Sequence, residues 1–221
     1  QQEDVFYSQL TVWETLSMAA RMRMPSDSTR ASRDAAVSEL LNRLGLSHVR
    51  HTRVGDKKTR GISGGEKKRL SIACELIGRS PSVVCADEPT SGLDAFQAQR
   101  VMEALRDLAA AAEGGSENRR TTVVCSIHQP RGSIVALFDD VCLLAEGGRV
   151  VYSGSMKDAP AWFARRGHPI PSNCNPAEFL LDLVSVDTSS EEAEKTSRER
   201  IRDLTAAASE AAAAAAFILD E

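Results

Sequence analysis

Apolar and polar positions follow two different periods along this chain, and the switches between them mark out its elements. Val12, Leu16, Ala19 and Ala20 share one helical face, preceded by Thr11 and Glu14 at capping-box spacing; Pro25 ends the run, and residues 26–33 form a polar connector. A second stripe, Ala35, Val37, Leu40, Leu41 and Leu44, predicts a helix over about residues 32–44 closed by Gly45. A third stripe follows Ser63 with Leu70, Ile72, Ala73, Leu76 and Ile77. A fourth, over residues 94–112, has Phe96, Val101, Met102, Leu105 and Leu108 as its expected core face. Between the helices lie β-type runs: a buried strand from Val83 that ends in Asp87 and Glu88, a β-branched strand over residues 121–127, and a hairpin pairing 141–145 with 149–152 across Glu146, Gly147 and Gly148. Residues 114–118 read as a loop, 157–166 as a short helix, and Asn175-Pro176 as the cap and first position of another. From Ser185 the chain turns polar and then, over residues 206–216, almost wholly alanine, which predicts a linker with a fraying helix and little to bury.

Helices alternating with short strands give an α/β class, and 221 residues at 42% hydrophobic and 26% charged composition suffice for one good core with chain left over. The net charge of −4, with basic residues scattered, gives no reason to expect nucleic acid. Five cysteines, at 74, 85, 125, 142 and 174, form no C-x-x-C pair and are expected to be reduced and in the core. No run reaches the ~18 apolar residues of a membrane span, so the expectation is a globular, cytosolic chain that does not itself cross a bilayer.

The chemistry concentrates in three places. Ile62-Ser63-Gly64-Gly65-Glu66-Lys67-Lys68-Arg69 opens a helix with a hydroxyl and two residues lacking side chains, so backbone N–H groups and the positive end of the helix dipole meet an anion there. Alone, Ser-Gly-Gly-Glu reads as no more than a turn and helix cap. Some twenty residues on, a strand delivers Asp87 and Glu88 at its C-terminal end, where α/β sheets place ligands, followed by Thr90-Ser91-Gly92-Leu93-Asp94. A third strand-end residue, His128, is placed to touch a phosphate, although a lone histidine there is more often structural. The basic stretch over residues 46–61, with His51, Arg53, Lys57, Lys58 and Arg60, reads as a solvated face or as part of an attraction for nucleotide; His51 and His168 read as surface residues.

In this order the first two elements resemble the signature motif, Walker B and D-loop of an ABC-transporter nucleotide-binding domain. Gln2-Glu3-Asp4-Val5-Phe6-Tyr7 before Leu10-Thr11-Val12-Trp13-Glu14-Thr15-Leu16 is similar to that family's Q-loop, although an N-terminal glutamine taken alone would simply be solvated. His128 stands in the order of the switch histidine. Glu66 where many members have glutamine, Ser126-Ile127-His128-Gln129-Pro130-Arg131 and Asn175-Pro176-Ala177-Glu178 look like the G subfamily, the White/brown-complex half-transporters, with Ala73-Cys74-Glu75-Leu76-Ile77 and residues 92–98 especially similar to plant-type members. The resemblance covers about residues 1–187.

It implies a P-loop NTPase-like ABC ATPase domain, partial, with an inserted helical subdomain: residues 1–9 as the Q-loop end of the ATPase core, 10–62 as the helical subdomain that meets the membrane partner, 63–184 as ATPase core, and 185–221 as a linker toward a membrane domain. It implies ATP and Mg²⁺ as cofactors, a second nucleotide-binding domain as homo- or heterodimer partner, the transmembrane domain of the same transporter, a cytosolic-face location, and ATP hydrolysis that powers export. On that basis Ser63, Gly64, Gly65 and Glu66 would bind nucleotide held by the partner subunit, Asp87 would hold Mg²⁺ through water, and Glu88 would polarise the hydrolytic water. His128 would hold the γ-phosphate, Gln2 would contact metal and nucleotide, and Asp94 would face the opposite subunit. The chain contains no G-x-x-x-x-G-K-S/T loop, so it is expected to be a fragment that binds Mg-ATP weakly or not at all by itself. Two other readings remain: a catalytically inactive module that lends its signature face to an intact partner, and an ABC ATPase of ribosomes or DNA, against which the Asn-Pro-Ala-Glu region counts.

Overall fold

The structure, a computed structural model, describes residues 6–78, 81–110, 121–128 and 130–219, with side chains up to residue 213. The chain divides into two compact units, residues 1–128 and 129–221.

In the first unit, α1 (Val12–Arg23) starts as expected: the Thr11 hydroxyl accepts from the Glu14 N–H while the Thr11 N–H donates to the Glu14 carboxylate at 2.8 Å. Its next orphan donors are met by a loop, Val12 N–H to Thr52 O (3.0 Å) and Trp13 N–H to Arg50 O (2.9 Å), and Arg50 lies over the Trp13 ring. α2 (Arg30–Arg43) begins two residues earlier than expected because Thr29 caps it. After a 3₁₀ turn (Ser47–Val49) come α3 (Gly64–Leu76), β1 (Val83–Asp87), α4 (Ala95–Ala110) and β2 (Thr122–Ser126). One core joins them: Leu16 and Ala20 of α1, Val37 and Leu41 of α2, Leu70 and Ala73 of α3, and Ala104 and Leu108 of α4 are all buried. Arg23 at the end of α1 forks onto Glu75 of α3, with Nη1 and Nη2 donating to the two carboxylate oxygens at 2.7 and 2.6 Å.

β1 and β2 pair in parallel, Val83 opposite Thr122 through Asp87 opposite Ser126. The expected buried strand is half-buried. Val84 and Val123 pack on the helical core, while Val83 and Val124 on the other face are 55% and 54% exposed. The cause is the pleat: alternate side chains take opposite faces, and among the described residues only one face is covered by helices. The cysteine expectation is corrected as well: alternation leaves Cys85 exposed and Cys125 partly buried on the paired strands, Cys142 and Cys174 are also exposed, Cys74 on α3 is partly buried, and all five are free thiols. Phe96 is likewise not core but 66% exposed, because it lies roughly 200° round α4 from buried Ala98. Its ring carries the Arg100 guanidinium 5.7 Å from its centroid. The loop expected at 114–118 and the end of the fourth helix at 111–112 fall outside the described residues.

The second unit begins with α5 (Gly132–Val135), a single turn the periodicity did not announce, and continues with the hairpin β3 (Asp140–Ala145) and β4 (Arg149–Ser155). The strands are antiparallel with a bulge between Leu143 and Leu144, and Gly147 and Gly148 supply the positive φ of the connection. α6 (Ala159–Ala164) and α7 (Pro176–Val184) follow, the latter capped by Asn175, whose Oδ1 accepts from the Ala177 N–H at 3.0 Å. Phe163, Val151, Leu180 and Leu183 form the core, with Trp162 edge-on to Phe163 at 4.7 Å and Arg166 stacked 3.7 Å over Trp162.

The tail departs from expectation. α8 (Glu191–Leu219) is continuous, and its first half docks: Ile201 and Leu204 are buried in the hairpin core, and Arg200 caps the end of α7 by donating to the carbonyls of Leu183 (3.0 Å), Asp182 (3.2 Å) and Ser185 (3.1 Å). A spaced pair of large apolar residues among charges was enough to seat the helix, whereas residues 211–213 of the alanine run are exposed. Replacing Ile201 by Ala should therefore lower unfolding free energy by about 2–5 kcal/mol in urea titrations, while Ala212→Ser should change it by less than about 0.5 kcal/mol.

Candidate functional site

The approach to α3 is built from backbone hydrogen bonds. Val54 N–H donates to Leu10 O (2.8 Å), Gly55 N–H to Ser8 O (3.0 Å) and Ile62 N–H to Arg53 O (3.1 Å), so the segment after residue 6 and the segment before Ser63 are zipped together. Between them, Gly55 at φ +68° and Gly61 touch: a Cβ on Gly61 would lie 2.1 Å from the Val54 carbonyl oxygen. Asp56 closes this loop by accepting from the Lys58 and Thr59 N–H groups, and Lys67 reaches back to Gly55 O at 2.9 Å.

Ser63 then caps α3 in a reciprocal box. Its N–H donates to Glu66 Oε2 at 2.7 Å, and its hydroxyl accepts from the Glu66 N–H at 3.3 Å. His48 of the 3₁₀ turn holds the other Glu66 oxygen at 3.1 Å. Burial pushes the Glu66 carboxyl up, but the Ser63 N–H, the Ser63 hydroxyl and His48 together hold it below its usual value. Ser63 and Gly64 are exposed, and the first N–H groups of a helix have no intrahelical acceptor, so this end can receive an anion. Gly65 is buried. A Cβ there would meet Gln97 of α4, 2.3 Å from its Oε1 and 2.8 Å from its Cβ, and one on Gly64 would touch Leu93 at 3.4 Å. Four residues on, Arg69 is 7% exposed with Nε and Nη1 lacking an acceptor; burial pushes its guanidinium down, Glu66 opposes that and Arg100 adds to it.

The second group sits at the C-terminal edge of the parallel pair. Asp87 and Ser126 face each other across the ladder, and the Ser126 hydroxyl donates to Asp87 Oδ1 at 2.5 Å while accepting from the Glu88 N–H at 2.9 Å. Glu88 adopts φ +42°, a left-handed conformation that costs a non-glycine residue about 1–3 kcal/mol and persists only where surroundings enforce it. The turn from Glu88 is closed by Ser91 N–H to Glu88 O (3.1 Å), and Asp94 caps α4 by accepting from the Phe96 and Gln97 N–H groups at 3.0 Å each. His128, exposed, lies two residues past Ser126 at the same sheet edge.

The structure thus gathers Ser63, Gly64, Gly65 and Glu66 with Leu93 and Gln97 beside Asp94, and gathers Asp87 and Glu88 through Ser126. Gln2 lies outside the described residues. Ser126, His48 and Gln97 were not read as site residues from the sequence, although Ser126 and Gln97 lie in stretches that carry the resemblance and Ser126 puts a hydroxyl at the end of the strand beside the one that carries the carboxylates. Hard oxygen donors at a strand end suit Mg²⁺, which keeps several waters and needs only one or two protein carboxylates. Among the described residues no group of three or more acidic, histidine or cysteine side chains forms a metal cage.

Residues 1–91 match the family described as ABC transporter, and residues 128–203 match ABC-2 type transporter. The chain is 54% identical over 209 residues to ABC transporter G family member 7 of Arabidopsis thaliana, covering 95% of this chain and 28% of that protein. It is 41% identical over 197 residues to ATP-binding cassette sub-family G member 8 of Homo sapiens (89% and 28%) and 38% identical over 213 residues to Protein scarlet of Drosophila melanogaster (95% and 30%). It therefore spans under a third of the length of these relatives, and among the described residues no helix is long and apolar enough to cross a membrane.

Glu66→Gln keeps the geometry of the cap but removes its charge. A carboxyl lowered by folding contributes stability above its unfolded value of 4.5 that is lost as pH falls through the lower folded value. The substitution should cost about 0.5–1 kcal/mol at pH 7 and flatten the acid limb of stability, read by denaturant melts between about pH 6 and 3.

Two transporter families matched in succession, and relatives aligned over about nine-tenths of the chain, make this protein a member of the ABC transporter G family.

Proposed function

We propose that this chain is the ATP-binding and ATP-hydrolysing part of a G-family transporter that drives export of a substrate, working at the cytosolic face of a membrane as one of a pair of nucleotide-binding domains. The observation that carries the reading is the strand-end pair Asp87 and Glu88, oriented by Ser126 and one strand away from His128. Phosphoryl transfer to water calls for charge neutralisation and a positioned nucleophile more than for covalent help. Mg²⁺, when bound, supplies charge neutralisation at the phosphates; Asp87 would hold it, with Gln2 as a further ligand. Glu88, turned out of the strand by its left-handed backbone, polarises the hydrolytic water. His128 donates a hydrogen bond to the terminal phosphate. Ser63, Gly64 and Gly65 present a hydroxyl and backbone N–H groups to nucleotide carried by the second domain, with Glu66 fixing their start, and Asp94 faces that domain.

In this reading residues 1–9 and 63–184 belong to the ATPase core, 10–62 are an inserted helical subdomain directed at the transmembrane partner, and 185–221 lead toward the membrane domain. Because the chain carries no G-x-x-x-x-G-K-S/T loop, the 221 residues alone are a fragment of low affinity for Mg-ATP and without turnover. Calorimetry on the isolated chain should give no binding at micromolar Mg-ATP. In the full-length protein Glu88→Gln should retain ATP binding while turnover falls about 10²- to 10⁴-fold. Wild-type turnover in that variant, measured by phosphate release, would remove Glu88 from the mechanism.

A further inference from the structure

The seam between α3 and α4 contains an arrangement that neither packing nor phosphate binding explains. Gly65 is the second residue of α3, and the space its Cβ would occupy is filled by the Gln97 side chain. Relief is not a matter of one flexible tip. The far end, Oε1, could swing away, but Gln97 Cβ at 2.8 Å is fixed to the helix, so a side chain at 65 must push α3 and α4 apart. Gln97 is itself anchored, since its N–H is one of the two that Asp94 caps. Its Oε1 is buried with no hydrogen-bond partner. An apolar residue would fill the same space without leaving an acceptor unpaired, so the seat is not optimised as mere core. One residue earlier on α3, Gly64 is apposed to Leu93, on the other side of Asp94. The two glycines of α3 therefore rest against residues flanking Asp94 in the same chain.

We propose that Gln97 is a positioning residue that locks the anion-facing end of α3 to the Asp94 turn, and that residue 65 is glycine because Gln97 occupies the place of its Cβ. The two helix starts then move as one body: displacement of Asp94 by an opposing subunit is passed to Ser63 and Gly64 by contact rather than through the length of either helix. The inference rests on the proposed role of α3 in binding nucleotide.

The test is a double-mutant cycle in the full-length protein with Gly65→Ala, Gln97→Gly and both together, read as kcat/KM for Mg-ATP and as the midpoint of thermal unfolding without nucleotide. Gly65→Ala should cut kcat/KM about tenfold or more, and adding Gln97→Gly should bring it to within about threefold of Gln97→Gly alone. That recovery should occur although the double variant melts below wild type, because glycine in the first turn of α4 weakens the helix. If the two substitutions are additive in both readouts, or if activity follows melting temperature across all four proteins, the lock is overturned. Coupling in the melts together with a wild-type protein that does not hydrolyse ATP would support the lock and sink the proposed function instead.

Discussion

α3 must satisfy two opposed requirements: burial along its body and openness at its first turn. Leu70, Ala73 and Leu76 lie in the core shared with α1, α2 and α4, while Ser63 and Gly64 stay exposed a few residues upstream. A helix that emerges from a core in this way needs its orphan N–H groups managed without covering them. The chain does this with the Ser63–Glu66 box, with His48 on the remaining carboxylate oxygen, and with a loop zipped to residues 8–10 that fixes where Ser63 begins. The Arg23 fork on Glu75 and the seat of Gln97 against Gly65 hold the body and the start of the same helix.

The carboxylate edge works by a different economy. One hydroxyl, Ser126, serves as donor to Asp87 and acceptor for the backbone of Glu88, so two strands and the start of a turn meet on a single oxygen. This bond from β2 helps hold the unfavourable backbone of Glu88 in place, and it aims successive carboxylates differently: Asp87 stays with the strand while Glu88 leaves it.

Local signals were legible where one or two residues decide the outcome. The Thr11–Glu14 and Ser63–Glu66 boxes, the Asn175-Pro176 start and the glycine hairpin all involve partners within four positions, and the acids at the end of β1 announced themselves by sequence order. What escaped depends on partners far along the chain. Phe96 matched a helical stripe loosely, but its burial depended on which side of α4 meets the core. Ile201 and Leu204 looked too sparse to seat a helix until β4 and α7 offered them a groove, and Arg200 found three carbonyls some fifteen residues away. Ser126, His48 and Gln97 reach the site across separations of 38, 18 and about 30 residues. No periodicity encodes such distances.

The parallel pair β1–β2 has one further consequence. Among the described residues each strand pairs with a single neighbour, so each has an outer edge with no strand partner, beside a face that shows Val83, Cys85 and Val124 to solvent. Such a ribbon is an adhesive: it offers strand pairing, apolar contact and a thiol at once. A ribbon of this kind invites pairing with another chain, so the state of association, and not folding alone, governs how this segment behaves as its concentration rises.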